Sequence, residues 1–294
     1  SNIGNSFRQA KKFLDGGRKV LFSGTPCQIG GLKSYLNKDY ENLVTVDLIC
    51  HGVPSPMIWQ RYINELGDGK KLSAMTFRDK SKGWNSGILR YKFEDGNEIT
   101  EEYGESLYIK GFIQNCFLRP SCYNCNFKTL DRVSDFTLGD FWGVESILPK
   151  LNDNKGISLV FVHSDKADRM MKDIKKNIYL CEVETKSSII WNPCAIKSVE
   201  LLSNRSKFFR YVDEMSVKEG VEKSLYKSKL KRISENQLNL IKRKKNKLLY
   251  IIFKYYYDLK DFIIKKLFKL NIKSMDESIN YLTNNNVSLA RFGD

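Results

Sequence analysis

The chain has 294 residues, 41% of them hydrophobic and 12% aromatic, so it can bury a core without disulfide or metal staples and is long enough for about two domains. Its net charge of +15 is concentrated: between Lys223 and Lys273 sixteen lysines and arginines face three acids, a net +13, which leaves the preceding body close to neutral. No run of ~18 apolar residues is present, which argues against a membrane-spanning helix, and seven cysteines at irregular spacing behind a polar opening argue for reduced thiols in the cytoplasm and against a disulfide framework.

Asn5–Leu14 reads as a helix, and Lys19–Ser23 as a short buried strand closed by Gly24. Cys27–Leu36 follows as a helix, Leu43–Cys50 as a second strand, and Ser55–Leu66 as a second helix with Pro56 in its first turn. This β-α-β-α opening predicts a parallel α/β sheet. Three antiparallel strands are then expected at Leu72–Arg78, Gly87–Phe93 and Glu98–Tyr103, with Asp95-Gly96-Asn97 as a turn. Ser106–Asn115 reads as a helix, and a cysteine-bearing loop follows it. Asp135–Phe141 and Ile157–His163 read as strands, and Ala167–Lys176 as a helix. The expectation is a mixed α/β fold, with a small parallel opening and added antiparallel strands, over residues 1–215. A basic amphipathic helical tail is expected over 216–294, because Leu248–Leu270 breaks its apolar run with Lys and Asp every few positions.

The chemistry-bearing segments lie at the ends of these elements. In Gly24-Thr25-Pro26-Cys27-Gln28, Thr25 is a candidate N-cap, Pro26 falls at N1 and Gln28 at N3, the grammar of a capping box. Cys27 then sits in the first turn, where free N–H groups and the helix dipole favour a thiolate. Without a ligand the same residues make a well-capped helix and an incidental cysteine. Cys50-His51-Gly52 ends the second strand, so Cys27 and Cys50 share one edge of the sheet, the edge where open α/β sheets bind ligands. Neighbours on an extended chain point to opposite faces, so Cys50 and His51 are badly placed to act as a nucleophile and its base. Cys116, Cys122 and Cys125 lie in the loop, and Cys122-x-x-Cys125 is a chelating pair. With Cys27 and Cys50 it completes four thiolates, a set that suits a 4Fe–4S cluster or a structural zinc. The segment Asp131–Gly143, with Gly139-Asp140-Phe141-Trp142-Gly143, and the segment Phe77–Trp84 read either as tight strand corners or as walls of a flat cofactor pocket.

In VLFSGTPCQIGGLKSYL (20–36), VDLICHGVPSP (46–56), FRDKSKGW (77–84), LRPSCYNCNFKTLDRVSDFTLGDFWG (118–143) and KGISLVFVHS (155–164) the chain resembles the coenzyme F420 hydrogenase/dehydrogenase beta-subunit family, C-terminal domain. The resemblance spans roughly residues 5–215. It implies an iron–sulfur flavoprotein oxidoreductase, or an electron-transfer subunit, that passes electrons between a 4Fe–4S cluster, FAD and a carrier or substrate. Matched residue by residue, it implies Cys27, Cys50, Cys122 and Cys125 as cluster ligands, with Cys116 as substitute. For the flavin it points to Gly24, Thr25, Pro26, Gln28, Lys128, Arg132, Gly139 and Asp140, with the two cations suited to the ring or the pyrophosphate. The family's usual N-terminal ferredoxin-like segment is not found in this sequence, so the expectation is either that the sequence is a fragment of a longer chain or that electrons enter from another chain, a ferredoxin-like domain or a redox partner subunit.

The competing expectation is a binding protein with zinc on the same cysteines and nucleic acid on the basic tail. The neutral body counts against nucleic acid. The tail also suits peripheral contact with an anionic membrane surface, or packing on the body or a partner.

Overall fold

The computed structural model describes residues 3–84, 87–202, 205–225 and 287–291. Chain contacts divide it into two compact units, Ser1–Ser224 with Thr283–Asp294, and Leu225–Leu282. The larger unit is built on a six-stranded sheet. Strands β1 (Val20–Ser23), β2 (Leu43–Leu48) and β6 (Phe136–Asp140) run parallel, with Val20 opposite Leu43 and Val46 opposite Phe136. β7 (Ser158–Val162), β9 (Val287–Arg291) and β8 (Tyr179–Glu182) extend it antiparallel, giving the order β1-β2-β6-β7-β9-β8.

The central strands are covered on both faces, as parallel strands must be. Along β2 the side chains alternate. Leu43 packs with Ala10 and Leu14 of α1 (Ser6–Asp15) and with Leu32 and Leu36 of α2 (Pro26–Leu36). Val44 and Val46 turn to the other face, where Phe136 and Val160 meet Ala167 and Met171 of α6 (Asp165–Ile174). Helix α6 starts because Ser164 accepts from the Ala167 N–H, an N-cap bond.

Everything from residue 49 to 135 is inserted between β2 and β6, which are hydrogen-bonded neighbours. The insertion holds α3 (Pro56–Leu66), the antiparallel sheet β3 (Leu72–Asp79)–β4 (Ile88–Phe93)–β5 (Glu98–Glu102), α4 (Leu107–Ile113) and the cysteine loop. Its return to β6 is what carries the loop cysteines back towards the end of β2.

The expected elements through residue 176 are found within two or three residues of their predicted ends. Short elements at α5 (Val144–Ile147), β8 and α7 (Thr185–Ile189) carried no clear pattern in sequence. The sequence places a boundary at 215. Beyond α8 (Arg205–Glu214), α9 (Val217–Ser224) buries Val217 and Val221 and packs on α3, α4 and α8, so the larger unit continues through Ser224. Residues 287–291, within the segment read as a helical tail, pair as β9 between β7 and β8. The amphipathic stretch at 248–270 lies outside the described residues. Among the described residues no helix is long and apolar enough to cross a membrane.

Candidate functional site

Backbone bonds tie the end of β2 to the cysteine loop. Pro54 and Leu118 form an antiparallel bridge, Ser55 N–H donates to Phe117 O at 2.8 Å, and Arg119 N–H donates to Val53 O at 2.9 Å. The pairing brings Cys122 over the Cys50-His51-Gly52 turn, where Val53 N–H donates to its Sγ at 3.3 Å. Gly52 permits the approach: a Cβ there would stand 2.8 Å from Leu118 Cδ1 and 3.4 Å from Cys122 Cβ. Cys125 is pinned from a distant segment, its N–H donating to Ser198 Oγ at 2.9 Å. Lys128 Nζ donates to the carbonyls of Cys50 and His51.

Cys27, Cys50, Cys122 and Cys125 therefore line one cavity, together with Lys128 and Arg132. Its open volume is about 30 Å³, room for roughly two water molecules. Burial pushes the Cys50 thiol up to about 11. Lys128 opposes the rise, and Cys122, Cys27 and Cys125 add to it, which puts these three sulfurs within electrostatic reach of Cys50. Cys27 is exposed in the first turn of α2, as the capping grammar predicts, with Thr25 Oγ1 at 3.1 Å from its Sγ and Thr25 N–H donating to Gln28 Oε1 at 2.9 Å. Cys116 is fully buried away from the cavity wall, and burial raises its thiol to about 12.

Arg132 forms part of the cavity wall from inside the protein. Its side chain is 3% exposed; Nη2 donates to Ala195 O at 3.1 Å and Nη1 stands 3.7 Å from Asp47 Oδ2. Nε and Nη1 have no hydrogen-bond partner among the described residues, and neither has Asp47 Oδ2. Asp47 Oδ1 accepts from Thr137 Oγ1 at 2.5 Å, and that hydroxyl also meets His163 Nε2 at 2.9 Å. Burial works against the arginine's charge, while Asp47, Cys125 and Cys50 support it.

Of the other residues expected to touch a flavin, Pro26 lines the same cavity, and Gly24, Gly139 and Asp140 are placed differently. A Cβ on Gly24 would lie 2.9 Å from Gln28 Oε1, and one on Gly139 would lie 2.6 Å from Ile49 Cδ1, so both glycines accommodate the chain's own side chains. Asp140 pairs with Arg78 at 2.7 Å. That ion pair joins the two aromatic segments singled out in sequence: Trp84 and Trp142 lie 5.6 Å apart, with the Arg78 guanidinium over Trp84 at 4.8 Å. A larger cavity, about 360 Å³, lies at the start of β2 and β6, bounded by Lys33, Lys38, Lys166, Arg169, Glu41 and Asp135, with no cysteine on its wall.

Sequence reasoning missed the partners of His51. Its Nδ1 faces Cys194 Sγ at 3.5 Å, and its Nε2 faces Asn115 Oδ1 at 2.8 Å and Phe112 O at 3.2 Å. Two acceptors at Nε2 assign the proton there, leaving Nδ1 to accept from the thiol. Burial lowers the His51 pKa, and burial raises that of Cys194. No local pattern links residues so distant, and only the spare cysteine at 194 was visible.

Among the described residues no three His, Cys, Asp or Glu side chains are gathered tightly enough to hold a single metal ion. The sequence model of one protein family, the C terminus of the coenzyme F420 hydrogenase/dehydrogenase beta subunit, matches residues 17–188. No curated protein and no solved structure matches the chain.

Proposed function

Because the chain belongs to the coenzyme F420 hydrogenase/dehydrogenase beta-subunit family, a redox family, we propose that Cys27, Cys50, Cys122 and Cys125 hold a 4Fe–4S cluster and that the protein passes electrons as an oxidoreductase subunit. The observation that carries the reading is the meeting of four thiols from three separate segments on one cavity wall.

The donor set fits a cluster better than one ion. Tetrahedral zinc at Zn–S of about 2.3 Å needs its sulfurs about 3.8 Å apart, and among the described residues no three His, Cys, Asp or Glu side chains form a site for a single metal ion. Cysteines around a cluster stand further apart, because the iron and sulfide core lies between them. Four thiolates on such a core leave a net charge of about −2 in the oxidised state, and Lys128 and Arg132 are the cations beside it. The open volume is less than a cluster fills, and the flexible Lys128 side chain is the part of the wall that can yield. When bound, the cluster supplies one-electron transfer. The chain's residues supply four thiolates and two cations, with Pro26, Val53 and Phe127 as apolar wall.

A flavin as second carrier rests on family membership. Gly24 and Gly139 offer no cradle, and the larger cavity lies at the opposite edge of the sheet from the thiols. A redox partner subunit follows from the same membership, since the family is that of a beta subunit.

Anaerobic purification, with cluster reconstitution where needed, tests the proposal. A brown protein absorbing near 400 nm with about four irons per chain is expected. Alanine at Cys27, Cys50, Cys122 or Cys125 strips the iron, whereas alanine at Cys116, Cys181 or Cys194 does not. A colourless wild-type chain, with zinc or with no metal, overturns it.

A further inference from the structure

We propose that Arg132, backed by Asp47, sets the electron affinity of the four-thiol site, acting as a fixed buried charge and not as a contact for a flavin. The inference rests on the cluster reading and asks what governs such a site once it is loaded.

The first observation is that the guanidinium is on the cavity wall and almost wholly buried, its side chain 3% exposed. A buried cation is costly unless its hydrogen bonds are made. Here Nε and Nη1 go without a partner among the described residues, and Nη2 alone is satisfied, by Ala195 O at 3.1 Å. A charged side chain on the wall of a thiol-lined cavity, with its N–H groups so incompletely paired, leaves a fixed positive charge beside the thiols that is only partly neutralised.

The second observation is the incomplete counter-charge. Asp47 Oδ2 stands 3.7 Å from Arg132 Nη1, too far for a hydrogen bond, and Oδ2 is itself unsatisfied. Asp47 is held by Thr137 at its other oxygen and does not face the cysteines. The pair is therefore oriented, with its positive end towards Cys50 and Cys125 and its negative end behind. Low dielectric makes such fixed charges act strongly across a few ångströms. Lys128 adds a second cation, but it is a flexible one that spends its donors on the carbonyls of Cys50 and His51.

The geometry predicts opposite effects from the two members of the pair. Removing the positive end disfavours the added electron, and removing the negative end favours it. A purely structural ion pair would lose stability in both cases and would show no opposed shifts.

The test is an optical redox titration at pH 8 of the anaerobically reconstituted wild-type chain and of Arg132→Gln, Arg132→Lys and Asp47→Asn. Arg132→Gln is expected to favour the oxidised form at least tenfold, a midpoint about 59 mV lower for one electron. Arg132→Lys retains most of the wild-type value, and Asp47→Asn moves the midpoint upward. An Arg132→Gln protein that keeps its iron and its midpoint overturns the proposal. If Arg132→Gln does not fold or retain iron, Asp47→Asn decides: an upward shift supports the assignment, and no shift or a downward one overturns it. A wild-type chain that takes up no iron fails the cluster reading itself, a separate and visible result.

Discussion

His51 Nδ1 lies 3.5 Å from Cys194 Sγ, although the two residues are 143 positions apart in the chain. The contact fixes the ring whose backbone carries Cys50 on one side and Gly52 on the other. Asn115 holds the opposite nitrogen and adopts a left-handed backbone, φ 61°. Its amide also donates to Glu200 O at 3.1 Å.

Two substitutions at Asn115 separate side chain from backbone. Asn115→Gly keeps the left-handed turn and loses the hydrogen bonds to His51 and Glu200, which costs about 1–2 kcal/mol. Asn115→Ala loses the same bonds and adds left-handed strain, so it unfolds about 0.5–1 kcal/mol more easily than the glycine variant. Urea titrations of the two proteins measure the difference, and equal midpoints would show that the backbone conformation contributes nothing.

His163 gives the protein a pH dependence of known sign. Burial, helped by Arg132 and opposed by Asp135, lowers its pKa from 6.5 to about 4. The unfolded chain therefore takes up a proton between pH 6.5 and pH 4 that the folded chain refuses. Stability rises with pH across that window and is lost on acidification, by about 3 kcal/mol at about 1.4 kcal/mol per unit. Replacing His163 with Gln keeps a polar partner for Thr137 and removes the ionisation. Its stability curve between pH 4 and pH 6.5 should be flatter than the wild-type curve by that amount. Asp47, whose pKa burial raises, works in the opposite direction in both proteins and cancels in the comparison. Superimposable curves would remove His163 as the source.

The alternation of Leu43, Val44 and Val46 and the Thr25–Gln28 capping grammar were legible because they are local: each depends on spacing within a few residues. The edge of the sheet that gathers Cys27 and Cys50 followed from the β-α-β-α order alone. Cys122 and Cys125 also line the cavity, and the chelating spacing announced them. What stayed hidden depends on contacts made across the insertion between β2 and β6. Arg132 is expected from the resemblance to face a flavin, and its burial beside Asp47 carries no local sequence signal. Gly139 reads as a ligand cradle, yet Ile49 fills the space. In α9, Ser216 caps the helix locally by accepting the Glu219 N–H at 3.0 Å, but Glu65, from a helix far upstream, also accepts the Val217 N–H at 2.6 Å, and no local pattern reveals that second anchor.

Gly143 closes the Gly139–Gly143 segment with φ 82°, and a Cβ there would run into the Trp191 ring. Alanine at 143 meets both penalties at once. Left-handed strain and a displaced indole together should cost about 2–4 kcal/mol. The expected sign is a lower melting temperature with a changed tryptophan fluorescence, since Trp191 must leave its place. A variant that melts like wild type would mean that the turn relaxes freely.

Glu101 ties the second sheet to the helices beside it. The Tyr62 hydroxyl donates to Glu101 Oε1 at 2.8 Å, and the Tyr91 hydroxyl and Ser106 Oγ each donate to Oε2 at 2.9 Å. Tyr62 and Tyr91 are wholly buried, and burial pushes both phenols well above their usual range. Three donors thus depend on one half-buried carboxylate from β5. Glu101→Ala orphans them together, at about 1–3 kcal/mol for each donor that finds no substitute, so a loss of about 3–5 kcal/mol in urea unfolding is expected. The same accounting predicts a rescue. When both partners of a buried hydrogen bond are replaced by apolar groups of similar shape, the loss is small. In the Glu101→Ala background, Tyr62→Phe and Tyr91→Phe should therefore recover part of the stability, whereas in the wild-type chain each should lower it. A double-mutant cycle gives the coupling directly. Phenylalanine substitutions that cost the same in both backgrounds would mean that the hydroxyls find other acceptors, and that the carboxylate does not bind the sheet to α3 and α4.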